Sequence, residues 1–426
     1  MQYFDEVSML RGVVEESLRD EAYAACLPHA QRLVKLHKEN ENDKNMAFAN
    51  DLYTLGFVFG KLHRYEHAAE CYRDAAKLSA ELVGKGAFLA SCQTSLGANL
   101  SRAGMHDKAI AALTEAYAVR ERILGTRHVD TADSMYNLGN AYLDAGKPQD
   151  ALTWHARAYE CRRETPYAAA DSLICMAYAY EALEMRQEAI AYTAKALRLR
   201  SKLASGENGE SILHAYTLEL LYFARLCDDA EDYVKAARAF GKAAQLIQQE
   251  ASENHMHYAI TLAKQAEALA QLEQTQKAIS VLKRALKLMR RNVGEEHMAC
   301  AGVLRSLALL LKKEEAVEEA AEMMHASLRI RERLLGAGHY DYISNVMWLC
   351  GLFIEAKRYD RAHEVLKDAI DSARQRGEDT ALEQMEELFK IYLILSEIQR
   401  MKADEQVSND QLMAYLQRFF GDDANA

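Results

Sequence analysis

At 426 residues the chain could hold two or three ordinary domains, and its net charge of −11 argues against a general nucleic-acid binder, whose attraction to phosphate needs excess Lys and Arg. Half of the residues are hydrophobic and only three are Pro. Ala, Leu, Glu, Lys and Arg dominate, which favours helix, and no alternating strand bounded by hairpin turns is evident. The eight Cys are scattered without a CxxC pair, so they read as small hydrophobes in a reducing compartment. The opening MQYFDEVSML lacks the basic start and apolar stretch of a secretory leader, and runs such as Leu307 to Leu311 are too short to span a bilayer. A cytoplasmic protein without a membrane anchor is expected.

Residues 1–46 open the chain with apolar positions at helical spacing (Phe4, Val7, Leu10, Val14, Leu18, then Leu27, Ala30, Leu33, Val34). They predict two N-terminal capping helices or a degenerate first pair, followed by the polar linker KENENDKN from Lys38 to Asn45.

From residue 47 an alanine-centred pattern returns. Ala68, Ala109, Ala151, Ala189, Ala236, Ala278, Ala320 and Ala362 are separated by 41, 42, 38, 47, 42, 42 and 42 residues. Twelve residues before each Ala lies a small residue: Gly56, Gly97, Gly139, Ala177, Ala224, Ala266, Ala308, Cys350. Three residues after that comes a larger one: Phe59, Leu100, Tyr142, Tyr180, Cys227, Leu269, Leu311, Phe353. Seven after each Ala comes a second small residue, from Ala75 to Ala369. A fixed period of this length is the mark of stacked units, each too small to bury its own apolar face.

Each unit reads as two helices joined by a tight turn. In the third unit the turn is LDAGKPQD, where Gly146 ends one helix and Pro148 opens the next. The small residue lets the partner helix approach closely. The second helix then packs through Ala151, His155 and Ala158, and other units place Tyr72, Leu113, Phe240, Leu282, Met324 and Leu366 where His155 sits. Junctions between units repeat as LGTRH (Leu124 to His128), VGEEH (Val293 to His297) and LGAGH (Leu335 to His339), with His255 continuing the series. Their Gly residues are expected in the left-handed conformation that stops a helix.

Pro166 shortens one spacing and SGENGES (Ser205 to Ser211) lengthens the next. The chain is therefore divided into repeats one to four (47–204) and five to eight (205–376), with either a bend or an ordinary loop variation between them. Residues 377–426 follow as C-terminal capping helices, through Met385, Leu388, Phe389, Tyr392 and Leu395, and an acidic tail.

The small residue, the bulky residue three later, and the Ala–bulky–Ala second helix resemble the tetratricopeptide repeat over roughly residues 47–376. The 42-residue unit, with a run such as RERILGTRHVDTADSMYNLGNAYLDAGKPQDAL (Arg120 to Leu152), is similar to the kinesin-light-chain class of these repeats. The opening Trp and closing Pro of the shorter consensus are mostly absent, as is a motor-binding coiled coil, so a transport role does not carry over. The resemblance implies an all-α, right-handed superhelical solenoid of antiparallel helix pairs. It also implies a non-enzymatic scaffold that binds a peptide or partner protein on its concave face, lined by the first helix of each pair.

Exposed positions on that face should lie three before, two before, one after and four after the small residue. They nominate Tyr53, Phe57, Tyr136, Asn137, Asn140, Tyr178, Arg225, Lys264, Arg305, Lys312 and Trp348 as partner-binding residues. Asn137 and Asn140 are poor helix formers on one short segment, which points to amides that pair with a peptide backbone or with neighbouring helices and water. Lys264, Arg305 and Lys312 could meet an acidic peptide or a terminal carboxylate, or form a solvated charged face. His255 and His257, and His63 and His67, lack the further convergent ligands of a metal site. No HExxH, GxSxG, Walker loop or dinucleotide fingerprint occurs, so no catalytic residue, metal or cofactor is expected. A homo-oligomer is compatible with the pattern. The alternative function is a peptide-sensing regulator whose superhelix changes curvature on binding, an analogy with bacterial quorum-sensing regulators built from such repeats.

Overall fold

The computed structural model describes residues 2–40, 44–205, 209–250 and 256–377, together with positions 390, 394 and 397. The expected C-terminal caps, His255 and residues 206–208 of SGENGES lie outside the described residues. Among the described residues every regular element is helical. A first hairpin, α1 (Gln2–Arg19) and α2 (Tyr23–Glu39), precedes eight more. These are α3 (Met46–Lys61) with α4 (Tyr65–Val83), α5 (Ala87–Arg102) with α6 (His106–Leu124), α7 (Val129–Asp144) with α8 (Pro148–Arg162), and α9 (Pro166–Ala182) with α10 (Arg186–Ala204). They continue with α11 (Gly209–Asp229) and α12 (Tyr233–Glu250), α13 (Met256–Gln271) and α14 (Thr275–Val293), α15 (Met298–Lys313) and α16 (Val317–Leu335), and α17 (Tyr340–Glu355) and α18 (Tyr359–Arg376). From α1 to α10 and from α12 to α18, each helix packs chiefly on its neighbours in the chain. The chain divides into two compact units, Met1–Glu219 and Leu220–Ala426, with the division inside α11.

The small residues are where helices meet. Ala68, Ala109, Ala151, Ala189, Ala236, Ala278 and Ala320 are wholly buried. A Cβ added to Gly97 would lie 2.5 Å from Leu113 and 3.1 Å from the Ala109 carbonyl, and one on Gly139 would lie 2.7 Å from the His155 ring. The bulky residue of the second helix thus fills the space that the small residue leaves open.

All eight turns close in one way. The residue five before each repeat Ala has positive φ: His63, Gly104, Gly146, Glu184, Glu231, Glu273, Glu315 and Lys357. The next residue's N–H bonds back to the carbonyl of the large first-helix residue, as Arg64 to Phe59, Met105 to Leu100, Lys147 to Tyr142 and Arg358 to Phe353. This six-to-one bond, paired with the adjacent five-to-two bond such as His63 to Gly60, is the Schellman closure that satisfies orphan helix carbonyls. Glu21 also has positive φ, and the buried Cys26 stands five residues on, where the repeat has Ala. The first hairpin is therefore a degenerate pair built on the same turn.

Junctions close differently. Gly125, Gly294 and Gly336 have φ of 85°, 84° and 92° with ψ of 164°, 170° and 163°. This is not the left-handed helical region expected above but an extended positive-φ region that only Gly enters freely. The His that follows supplies the next cap. His128, His297 and His339 each accept the N–H two residues on at Nδ1, at 3.1 Å.

A second register of bonds stitches one pair to the next. Four residues beyond the second small position, Arg120, Arg162 and Arg200 reach the following first helix, at Ser134 (2.6 Å), Ser172 (3.2 Å) and Glu219 (2.9 Å). Arg162 also pairs with Asp133, and Arg200 with Asp171. Arg200 is 2% exposed and lies 4.1 Å over the Tyr167 ring. Burial raises the Glu219 carboxyl above its ordinary range, and the Arg200 charge opposes that shift.

Two outcomes follow from this architecture. An L-residue in the left-handed region costs about 1–2 kcal/mol, so Glu273→Gly and Glu315→Gly should each raise stability, by up to about 1 kcal/mol after the entropy cost of Gly. Thermal unfolding checks this, and a fall in midpoint would contradict it. Arg200→Met should cost about 3–5 kcal/mol in denaturant unfolding, because it strands a buried carboxylate, and Glu219→Gln in the same chain should recover much of the loss.

Candidate interaction face

In the first unit the nominated residues fall on α3, α7 and α9, and the structure divides them into two kinds. Tyr53 and Tyr136 stand three before the small residue and are half-buried. Each hydroxyl meets the residue two before the small residue of the next pair. Tyr53 bonds Ser95 at 3.0 Å, and Cys175 donates to the Tyr136 hydroxyl at 3.4 Å. In the same register-locked way Ser101 donates to Asp144 at 2.5 Å. The Tyr136 ring also lies 4.4 Å under the Arg162 guanidinium and edge-on to His155. Burial, with Cys175 adding to it, pushes its hydroxyl above the ordinary tyrosine range, while a bond from Asn140 opposes the shift. These two tyrosines and Asn140 are therefore tied into the array itself.

Of the remaining three, two are exposed aromatics. Phe57 and Tyr178 stand one after the small residue and are 38% and 43% exposed. An apolar ring held at this exposure on a rigid helix is a ready anchor for a partner. Phe57 is edge-on to Tyr23, with Lys61 5.4 Å from its ring. Asn137 is half-buried and has no hydrogen-bond partner among the described residues, so its amide keeps both a donor and an acceptor to offer.

In the second unit the nominated cations are mostly engaged. Arg225 pairs with Asp229 at 2.9 Å, Lys264 with Glu267 at 2.7 Å and Lys312 with Glu355 at 2.8 Å. The bond to Glu267 holds Lys264 above the usual lysine range, with Asp228 and Asp229 adding to it. Arg305 is exposed and forms no ion pair among the described residues. Trp348 is half-buried against the core, with Lys312 5.8 Å from its ring. This face offers alternating charges rather than a continuous basic track.

All eight Cys are free thiols. Burial pushes Cys92, Cys227 and Cys350 up to about 12 and Cys71 and Cys175 up to about 11, so none of these five is an activated nucleophile. His155 is fully buried. Burial, then the nearby Arg162 charge, lowers its pKa to about 4. Among the described residues no three His, Cys, Asp or Glu converge as metal ligands, and no helix is long and apolar enough to cross a membrane.

Two stretches match models of the tetratricopeptide repeat, residues 88–164 and 300–341. They cover α5 to α8 and most of α15 and α16. No curated protein sequence matches closely enough to count as a relative. Among solved structures, the apo form of RapI shares 12% identity, with a TM-score of 0.52 over 87% of this chain and 98% of that one. Aspartyl phosphate phosphatase F from Bacillus subtilis shares 10%, with a TM-score of 0.46 over 72% and 76%. BtubC (BKLC) from P. vanneervenii shares 19%, with a TM-score of 0.37 over 49% and 94%. At these identities the RapI likeness speaks for the fold alone, and the other two carry no argument.

The neutral, buried His155 yields a signed pH prediction. Its pKa falls from 6.5 in the unfolded chain to about 4 in the fold, so the unfolded chain binds more protons between those values and stability drops as pH falls through that window. His155→Leu, which copies Leu113 and Leu282 of other units, should remove this loss. The stability gap between variant and wild type should widen from pH 6.5 to pH 4, by at most about 3 kcal/mol. A gap independent of pH in urea titrations would contradict the assignment.

Proposed function

Because this chain is a tetratricopeptide-repeat protein, we propose that it is a non-enzymatic scaffold whose first helices hold a peptide or partner protein. The observation that carries this reading is the division of the first-helix residues in the first unit. Side chains three before the small residue are spent on neighbouring pairs. Those one or two before or after it leave Phe57 and Tyr178 exposed and Asn137 without a hydrogen-bond partner among the described residues. Aromatic anchors at 38% and 43% exposure, spaced by whole repeats, suit an extended segment laid across several pairs. The Asn137 amide can then pair with that segment's backbone through its donor and acceptor together.

Catalysis has no support in this reading. The thiols of Cys92, Cys227 and Cys350 are pushed up rather than activated, and the buried His155 is packed against Gly139. In the second unit the paired cations favour a partner surface of mixed charge over a simple acidic ligand. A reducing, cytoplasmic setting suits the eight free thiols.

The test compares affinity capture by the wild-type chain and by a Phe57→Ser, Asn137→Ala, Tyr178→Ser variant. Because these side chains are not in the packed core, the variant should keep its thermal midpoint within a few degrees. The proteins captured by the wild type should fall to background. Equal capture by both chains would remove the first-unit face from the reading.

A further inference from the structure

A cavity of about 270 Å³ opens in the second unit. It is built from the end of α14, the junction loop and the second helix α16, over α15. Leu304, Ala326 and Ile330 form an apolar floor. Leu304 and Ile330 are buried by their own packing. Arg290, Arg329 and Arg333 stand around it with Glu295 and Glu296. Glu296 pairs with Arg333. Arg290 and Arg329 are exposed and form no ion pair among the described residues. With Glu295 counted against them, one positive charge is left uncompensated at the mouth of an apolar hollow.

The repeat itself supplies a control. Counted from the repeat Ala of each unit, the positions of Arg290, Arg329 and Arg333 are held at the Leu124–His128 junction by Glu121, Glu160 and Glu164. The positions of Glu296 and Ala326 are held there by Arg127 and Arg157. The balance of charge is reversed on the same scaffold. At the Leu335–His339 junction the three positions carry Glu332, Asp371 and Gln375. The fold therefore accepts acidic or neutral side chains at these places, and the three arginines are not demanded by packing.

We propose that this cavity is a second binding site, which takes an acidic peptide segment of a partner protein, one Glu or Asp carboxylate flanked by an apolar residue. Two guanidiniums can fork onto a carboxylate, and guanidinium geometry favours such bidentate contact. Glu295 repels a doubly charged phosphate group more than a singly charged carboxylate. Ala326, the partly exposed residue of the floor, and the aliphatic stems of the arginines give an apolar neighbour surface to cover. The site is independent of Phe57, Asn137 and Tyr178, so it stands or falls apart from the first-helix reading.

The test uses the full chain and a fluorescein-labelled nonapeptide that alternates Leu and Glu, with anisotropy as the readout. Saturable binding is expected, with no binding of the matching Leu–Lys peptide. Arg290→Glu with Arg329→Glu should weaken binding about tenfold or more, since charged hydrogen bonds are lost. Arg290→Gln with Arg329→Gln should weaken it less, and Lys77→Glu, at an exposed position of α4, should leave it unchanged. Circular dichroism melts confirm that each variant is folded. No binding by wild type, equal binding by the double variants, or loss on Lys77→Glu would overturn the proposal. Displacement by inorganic phosphate at the peptide's own concentration would overturn it in favour of a phosphate site. Self-association of the free chain in sedimentation velocity, abolished by the double variant, would overturn it in favour of a second copy as occupant.

Discussion

Everything in this chain depends on two helices meeting where one of them has almost no side chain. The contact is close enough that a methyl group on Gly97 would collide with Leu113. A contact of that kind sets the distance and register of a pair together, because interiors pack at crystal-like density and tolerate little slack. Once register is fixed, the carbonyl of Phe59, Leu100 or Tyr142 meets the N–H that closes the turn. The guanidinium of Arg120, Arg162 or Arg200 likewise arrives beside the next first helix. Turn, cap and cross-link are consequences of one steric condition, repeated.

That condition consumes the buried faces and leaves the outward positions chemically open. The same place in the repeat holds His, Gly, Glu or Lys at the turn, and Arg or Glu around the junction cavity. Identity at such positions is not needed for folding, so function is to be sought where the units differ from one another. The first unit differs by exposed rings and an amide on its first helices, the second by mostly paired charge on its first helices and uncompensated charge at one junction.

Much of the fold was legible in the residues, because a 42-residue period with small, large and small positions reports packing directly. The helix pairs, the turn at Gly146–Pro148 and the buried alanines all follow from it. What was not legible depends on neighbours about forty residues away. Tyr53 and Tyr136 look like free aromatic anchors until Ser95 and Cys175 are brought against their hydroxyls. Lys312 looks like an available cation until Glu355 arrives from the next pair. The junction histidines were assigned a place, but their use of Nδ1 as a helix cap needed the backbone. Gly125 was expected to be left-handed and is extended instead, because positive φ alone does not fix ψ. The Glu residues at positive φ carried no signal, since Gly is the residue type that marks such a turn.

From α1 to α10 and from α12 to α18, each helix touches chiefly the helices beside it in the chain. Among the described residues an error in one helix pair is therefore felt chiefly by its immediate neighbours. A genetic crossover that joins two units in register would deliver a chain in which every surviving interface is already correct. Such an array can lengthen or shorten by whole units over evolutionary time and remain a folded protein at each step. The reversed charges at its junctions are the kind of divergence that copied units accumulate when their packing is held and their surfaces are released.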